Sequence, residues 1–313
     1  MIDKMNQTKS VFLGFPHGMC AGVRRALETV DAVLRRFGAP VFVLHEIVHN
    51  SFIVNDLRKR GVCFAESLDE VPPGSVLLFS AHGVSAAVEA EARGRGLLVI
   101  DVTCPLVKRL HRSAEKAKDV LILIGHRGHP EVEGTVDRSG ARQTFVAGSA
   151  AEAELLPEFP AGTGIELLAQ TTLNTEEVRK IEARLKGRYP QLESAAAVCY
   201  ATTNRQKAVR ELARRCDAVL IIGSPHSSNS NRLREVAEQE GAKAFLIEGA
   251  EELPPEIWNS AATVGVGAGA SAPESLVGQV LDRLREIGFS RAGDILAAEE
   301  ETTFSTPAIP EKQ

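Results

Sequence analysis

Short apolar, β-branched runs alternate along the chain with longer stretches whose apolar positions recur at helical spacing. Three runs stand out: APVFVLHE, DVLILIGH and DAVLIIGS. Each follows an amphipathic, Arg/Lys-rich stretch: GVRRALETVDAVLRR, PLVKRLHRSAEKA and ATTNRQKAVRELARR. Continuous apolar runs between helical patterns read as strands buried on both faces of a parallel sheet. Each strand empties into a polar loop: HEIVHNS, HRGHPEVEG and SPHSSNSN. A helical stretch and a shorter strand follow (VCFAES, QTFVAGS, KAFLIEG), then a turn rich in Pro, Gly and acid (LDEVPPGS, LLPEFPAGTG, EELPPEIWNS). A further strand and polar loop close each unit: VLLFSAHGVS, IELLAQTTLN and ATVGVGAGASAP. One more helix succeeds each loop.

The chain thus reads as three copies of one α/β unit, over residues 14–103, 104–197 and 198–289. The tail, 290–313, is acidic and Pro-bearing and is expected to pack in part. Strand–helix alternation predicts α/β domains with small parallel sheets and helices on both faces. In such sheets ligands collect in the loops at the carboxyl ends of the strands. The unusual residues of this chain all lie in those loops.

Length alone, 313 residues, suggests about two domains, so the repeat changes the picture. The net charge of −5 argues against a nucleic-acid footprint. The longest apolar runs are far shorter than a bilayer span, and the start MIDKMNQTKS lacks an apolar signal region. A cytoplasmic protein is expected. Its five cysteines are then expected to be core, catalytic or metal-bound rather than disulfides.

Three of them recur in one context: FPHGMCAGVRRA at Cys20, DVTCPLV at Cys104 and VCYATTNRQ at Cys199, at intervals of 84 and 95 residues. Each ends an extended segment and opens a helix, whose amino end favours an anion. A zinc site of three cysteines and a histidine would usually show a close cysteine pair, and there is none. A nucleophilic cysteine with a histidine base leaves two cysteines unexplained. An iron–sulfur cluster normally takes four cysteines, so three would leave one iron open. Burial as small apolar residues is the ordinary fate of a free cysteine, and Cys63 and Cys216 are assigned it. The threefold recurrence favours a shared ligand role for Cys20, Cys104 and Cys199.

The loops gather His45 and His49; Ser80 and His82; His126, His129 and Glu131; Gln170, Thr171 and Thr172; Ser227, Ser228, Asn229 and Asn231; and Ser271. Such donors beside glycines and helix starts suit phosphate oxygens. SSNSN and ASAP also read as plain helix caps. In GHPEVEG an acid stands two residues from a histidine, a spacing that suits proton delivery. Arg24, Arg25, Arg205 and Arg210, just past the cysteines, read as solvated faces or ion pairs.

Nine motifs in order, PHGMCAGVRRA, VLHEIVHN, FSAHGVS, DVTCPLV, GHRGHPEVEGT, QTTL, CYATTNRQ, SSNSNRL and GASAP, resemble the 4-hydroxy-3-methylbut-2-enyl diphosphate reductase family, LytB/IspH, from Phe15 to Leu276. The resemblance implies three α/β domains in a trefoil around a central cluster. It implies two-electron reductive dehydroxylation of an allylic diphosphate to isopentenyl and dimethylallyl diphosphate, the last step of the non-mevalonate pathway. It implies a [4Fe-4S] cluster held by Cys20, Cys104 and Cys199, with the fourth iron open to substrate. His49, His82, His129, Ser227, Ser228, Asn229 and Ser271 correspond to diphosphate contacts, Glu131 to the acid of the proton relay, and Thr171 to the threonine near the substrate hydroxyl. A ferredoxin or flavodoxin is the expected electron donor. Met19, Ala169 and His226 depart from the common family motifs, and none removes a catalytic group. A cysteine-dependent hydrolase would instead be colourless, and a cluster-based sensor would show no turnover.

Overall fold

The computed structural model describes residues 9–311; residues 1–8, most of the polar amino-terminal stretch, and 312–313, the end of the tail, lie outside the described residues. In chain order the elements are β1 (Ser10–Phe15), α1 (Ala21–Phe37), β2 (Val41–Leu44), α2 (Ser51–Lys59), β3 (Val62–Ala65), β4 (Val76–Phe79), α3 (Ala86–Gly94) and β5 (Leu98–Asp101). Then come α4 (Pro105–Lys116), β6 (Val120–Ile124), α5 (Pro130–Asp137), β7 (Gln143–Ala147), α6 (Ala150–Glu154), β8 (Ile165–Ala169), α7 (Thr175–Arg188) and β9 (Leu192–Ser194). The last third holds α8 (Tyr200–Ala213), β10 (Ala218–Ile222), α9 (Ser228–Gln239), β11 (Lys243–Ile247), α10 (Pro255–Ser260), β12 (Thr263–Ala268), α11 (Glu274–Glu286) and β13 (Ser290–Leu296). Among the described residues no helix is long and apolar enough to cross a membrane.

All strands pair in parallel, in three small sheets ordered β3-β2-β4-β5, β7-β6-β8-β9 and β11-β10-β12-β1-β13. The order of the first four strands is the same each time, which expresses the sequence repeat in three dimensions. The third sheet takes its fourth strand from the start of the chain: Ser10 to Leu13 of β1 lie in register with Thr263 to Val266 of β12. The tail adds β13 on the other side of β1.

The apolar runs become strands because both their faces are covered. Every residue of β6 and of β10 is buried. Val120, Ile122 and Ile124 of β6 enter one apolar cluster, and Leu121 and Leu123 the other. In β10, Ala218, Leu220 and Ile222 divide in the same way from Val219 and Ile221, as the two-residue period of a strand requires. Truncating Ile122 to alanine would cost about 2–5 kcal/mol. Helix starts are set by local chemistry. Ser85, Ser149, Asn174 and Ser227 cap α3, α6, α7 and α9 through their side chains, and Pro105 and Pro130 take first-turn positions in α4 and α5.

Two compact units emerge. One holds residues 9–20, His49–Ile53 and Tyr200–Thr302, with the third sheet. The other holds Ala21–Val48, Val54–Cys199 and residues 303–311, with the first two sheets. Cys216 is buried as expected, and burial pushes its thiol up to about 12. Cys63 corrects its core assignment. It is exposed, because β3 is an edge strand and Cys63 lies on the face opposite Val62 and Phe64.

Candidate active site

Each cysteine of the threefold set stands immediately before a helix: Cys20 before α1, Cys104 as the cap residue of α4, and Cys199 before α8. Their backbones are held alike. The Cys20 amide donates to Ala270 O, that of Cys104 to Ala81 O and that of Cys199 to Thr171 O, each at 3.0 Å. The three acceptors lie in equivalent loops, after β12, β4 and β8. A cysteine at the end of the fourth strand of each sheet is thus pinned to the loop that leaves the third. All three side chains are partly exposed, and none of the five described cysteines forms a disulfide. Among the described residues no three His, Cys, Asp or Glu side chains are gathered to hold a single metal ion.

Glu131 and Thr171 form the best-defined polar pair. Pro130 starts α5, and His129 caps it: its Nδ1 accepts from the Glu131 amide at 3.2 Å. Glu131 is thereby turned inward and is 1 % exposed. One carboxylate oxygen accepts from the Thr171 amide at 2.6 Å, the other from Thr171 Oγ1 at 2.8 Å. Burial pushes this carboxyl up to about 7, while the two Thr171 bonds pull the other way. Near neutrality it therefore holds a proton part of the time and can lose it. Gln170 stiffens the same loop, its Oε1 accepting from the His126 amide at 3.1 Å and its Nε2 donating to Thr172 Oγ1 at 2.9 Å.

The loop after β4 approaches the start of α5. The rings of His82 and His129 meet edge to face, with centroids 5.9 Å apart. Next in sequence to His82, Gly83 packs against His111, a residue of α4 that sequence reasoning did not single out. Gly83, at φ +80°, leaves room for its ring: a Cβ there would stand 2.6 Å from His111 Cε1. Burial and Arg138 push His111 down to about 4, so it is neutral, and its Nε2 is buried without a partner.

In the other unit, Ser227 Oγ caps α9 by accepting from the Ser230 amide at 3.2 Å. Asn229 is 4 % exposed, yet neither its amide nitrogen nor its carbonyl oxygen has a partner, and Ser230 Oγ is in the same position. Gly223 and Gly269, at the ends of β10 and β12, press so close on Ser230 Oγ that a Cβ at either would collide with it. Ser271 Oγ donates to His49 O at 3.1 Å. Ser228 is half-buried at the first turn of α9.

The sequence-derived residues therefore fall into two groups. His82, His129, Glu131 and Thr171 gather in one unit with Cys104 and Cys199. His49, Ser227, Ser228, Asn229 and Ser271 belong to the other, with Cys20. Of the departures, Ala169 ends β8 inside an apolar cluster, and His226 is exposed in the turn before Ser227. Arg205 is 1 % exposed and forms an ion pair, as expected, with Glu300 at 2.9 Å. Arg25 corrects its expected role: it is 6 % exposed, and its guanidinium is engaged with backbone carbonyls instead. The signal for them was their place one turn beyond a cysteine.

Residues 11–285 match the family model described as LytB protein. The chain is 46% identical over 303 residues to the 4-hydroxy-3-methylbut-2-enyl diphosphate reductase of Pseudomonas aeruginosa, covering 94% of this chain and 96% of that one. It is 47% identical over 310 residues to the enzyme of the same name from Methylibium petroleiphilum, covering 97% and 94%. The fold matches the solved E-1-hydroxy-2-methyl-but-2-enyl-4-diphosphate reductase of Plasmodium falciparum with a TM-score of 0.91, at 31% identity and 96% coverage of both chains. A second solved reductase, described as the terminal enzyme of the non-mevalonate pathway, matches with a TM-score of 0.64 at 30% identity, covering 89% of this chain and 99% of that one. With its threefold parallel sheets and three helix-opening cysteines, the chain belongs to the LytB family.

Proposed function

We propose that the protein reduces 4-hydroxy-3-methylbut-2-enyl diphosphate to isopentenyl and dimethylallyl diphosphate, as the last step of the non-mevalonate pathway. Two electrons and two protons enter, the allylic C–O bond breaks, and the oxygen leaves as water. The observation that carries this reading is Glu131, buried, bonded through both oxygens to Thr171, and pushed up to about 7. Hydroxide is a poor leaving group, so the step needs a proton source whose proton affinity lies near the working pH. Glu131 is such a group. Thr171 Oγ1, 2.8 Å from its carboxylate, relays the proton toward the substrate hydroxyl.

Membership of the LytB family implies an iron–sulfur cluster. Cys20, Cys104 and Cys199 fit it as a donor set: three thiols outside any disulfide, each beside a helix amino end. Each thiolate of a cluster binds its own iron, so the ligands need not gather round one ion. Three such ligands suit a [4Fe-4S] cluster whose fourth iron is left open to substrate. When bound, the cluster supplies the electrons one at a time, which side chains cannot do. His49, His82, His129, Ser227, Ser228, Asn229 and Ser271 hold the diphosphate. Asn229 brings both a donor and an acceptor with no partner of their own. Binding at that remote end orients the reacting carbon. Each of the three sequence repeats, 14–103, 104–197 and 198–289, contributes one cysteine and its polar loops. A ferredoxin or flavodoxin delivers the electrons, and cysteines without disulfides suit the reducing cytoplasm.

The test is anaerobic purification with iron and acid-labile sulfide analysis, then turnover of the allylic diphosphate with a reduced dye. A brown protein with about four irons per chain, degraded in Cys20→Ser, Cys104→Ser and Cys199→Ser alike, and active on the substrate, supports the reading. A colourless protein after reconstitution, or one that holds a cluster without turnover, overturns it.

A further inference from the structure

Past β13 the tail forms no further strand or helix among the described residues, yet it touches two buried arginines. The Ala297 amide first donates to Phe15 O at 2.8 Å, which carries the β1–β13 pairing past the last strand residue. Glu300 then meets Arg205. Arg205 Nη1 donates to its two carboxylate oxygens at 2.9 and 3.2 Å, and Asn204 Nδ2 donates to one of them at 3.3 Å. The pair is deeply buried, at 1 % and 10 % side-chain exposure. Arg205 also donates to backbone, from Nη1 to Ala201 O at 2.9 Å and from Nε to Gly18 O at 3.0 Å. Gly18 lies two residues before Cys20.

Five residues further on, Ser305 O accepts from Arg25 Nε at 2.8 Å. Arg25 Nη1 donates to Val102 O at 2.9 Å and to Thr103 O at 3.2 Å. Those are the two residues before Cys104. The two arrangements are alike. A guanidinium one turn into a cysteine-led helix grips the backbone that enters another cysteine, and the tail closes its outer side. Without Glu300, Arg205 has an unmatched buried charge, and without the Ser305 carbonyl Arg25 Nε has an unmatched donor; water or a different rotamer then competes for either guanidinium.

We propose that the segment after β13 is a strap that sets the turns entering Cys20 and Cys104, with Arg205 and Arg25 as its positioning residues. Glu300 holds Arg205 to the Cys20 turn, and the Ser305 carbonyl holds Arg25 to the Cys104 turn. The consequence for a bound cluster rests on the ligand roles proposed above; the geometry of the strap does not.

The experiment therefore uses the metal-free full-length chain under native, anaerobic conditions. Each cysteine is labelled with iodoacetamide, and the rates are read by mass spectrometry. Glu300→Ala is expected to speed labelling of Cys20 about tenfold, the change in a local opening equilibrium that follows loss of a charge-assisted bond, with Cys104 unchanged. A chain ended after Thr302 keeps Glu300 and loses Ser305, and is expected to do the reverse. Buried Cys216 reports general loosening. Unchanged rates at both turns overturn the strap, and so does acceleration of Cys20 and Cys104 only in step with Cys216. A cluster that survives Cys20→Ser and Cys104→Ser would remove the ligand roles while leaving the labelling pattern in place.

Discussion

The Ser227–Ser230 turn and the Glu131–Thr171 pair are both buried and polar, yet they use their hydrogen-bonding capacity in opposite ways. At Asn229 both side-chain groups are sealed from water with nothing to bond. At Glu131 both carboxylate oxygens are taken. Leaving polar groups buried and unmatched costs stability, and the proposed diphosphate would complete the first arrangement. The second holds its acid in one place and sets its proton affinity. On the proposed function, one region would receive oxygens and the other would release a proton.

The contrast breaks hardest at Glu131. Glu131→Gln keeps the shape and the bond from the Thr171 amide, and its NH2 can donate to Thr171 Oγ1, but it carries no transferable proton. Turnover is expected to fall by about 10²–10⁴, the usual worth of a general acid, while iron content and substrate affinity stay within a few fold. Normal turnover in that variant would take Glu131 out of the mechanism.

Asn229→Ala is expected to act on binding. Loss of bonds to a charged diphosphate, at about 1.5–3 kcal/mol each, would raise KM by about 10–100-fold with a smaller change in kcat. Because the free side chain has no partners, urea unfolding of the metal-free variant is expected to stay within about 1 kcal/mol of the parent. A large loss of stability would mean that Asn229 is structural.

Glu131 also makes a prediction about pH. Its carboxyl is raised from 4.5 to about 7, so between those values the folded chain holds a proton that the unfolded chain releases. That contribution to stability is complete below about pH 4.5 and is lost as pH rises through 7. His111, lowered from 6.5 to about 4, runs the other way: its contribution is present above 6.5 and is lost as pH falls through 4. In the parent chain the two slopes nearly cancel. Glu131→Gln uncovers the His111 slope, and unfolding free energies of the metal-free chain should then rise by on the order of 3 kcal/mol between pH 4 and 6.5.

The smallest effect is the finest probe. Thr171→Val removes the hydroxyl bond, one of the two that hold the Glu131 carboxyl down. Its midpoint should move up by about one pH unit, read from the infrared band of the protonated carboxyl in the metal-free protein. A downward move would mean that the threonine acts through something other than that bond.

Much of this was legible in the sequence. Motifs repeated at the same place in each unit exposed the three cysteines and the polar loops, because a repeat turns weak single-residue signals into a joint one. What stayed hidden depended on distant partners. The run SVFLGF looks like any buried strand, and nothing local says that it pairs with TVGVGA at the far end of the chain. VCFA reads as apolar throughout, and only the edge position of β3 leaves Cys63 outside. Arg25 and Arg205 lie on faces that look solvated until the carbonyls before the cysteines arrive to meet them.

The placement of β1 also sets an order of events during synthesis. Among the described strands, β1 is made before all the others yet has no partner until β12 exists, about 250 residues later. At about 5–20 residues per second that wait is tens of seconds, while the first two sheets already hold all their strands. Ala270, whose carbonyl receives the Cys20 amide, is made later still. The amino-terminal cysteine is thus the first of the three to be translated and the last to be seated. If Cys20 ligates a cluster as proposed, a nascent fragment would lack the seat of one ligand until the chain is nearly finished.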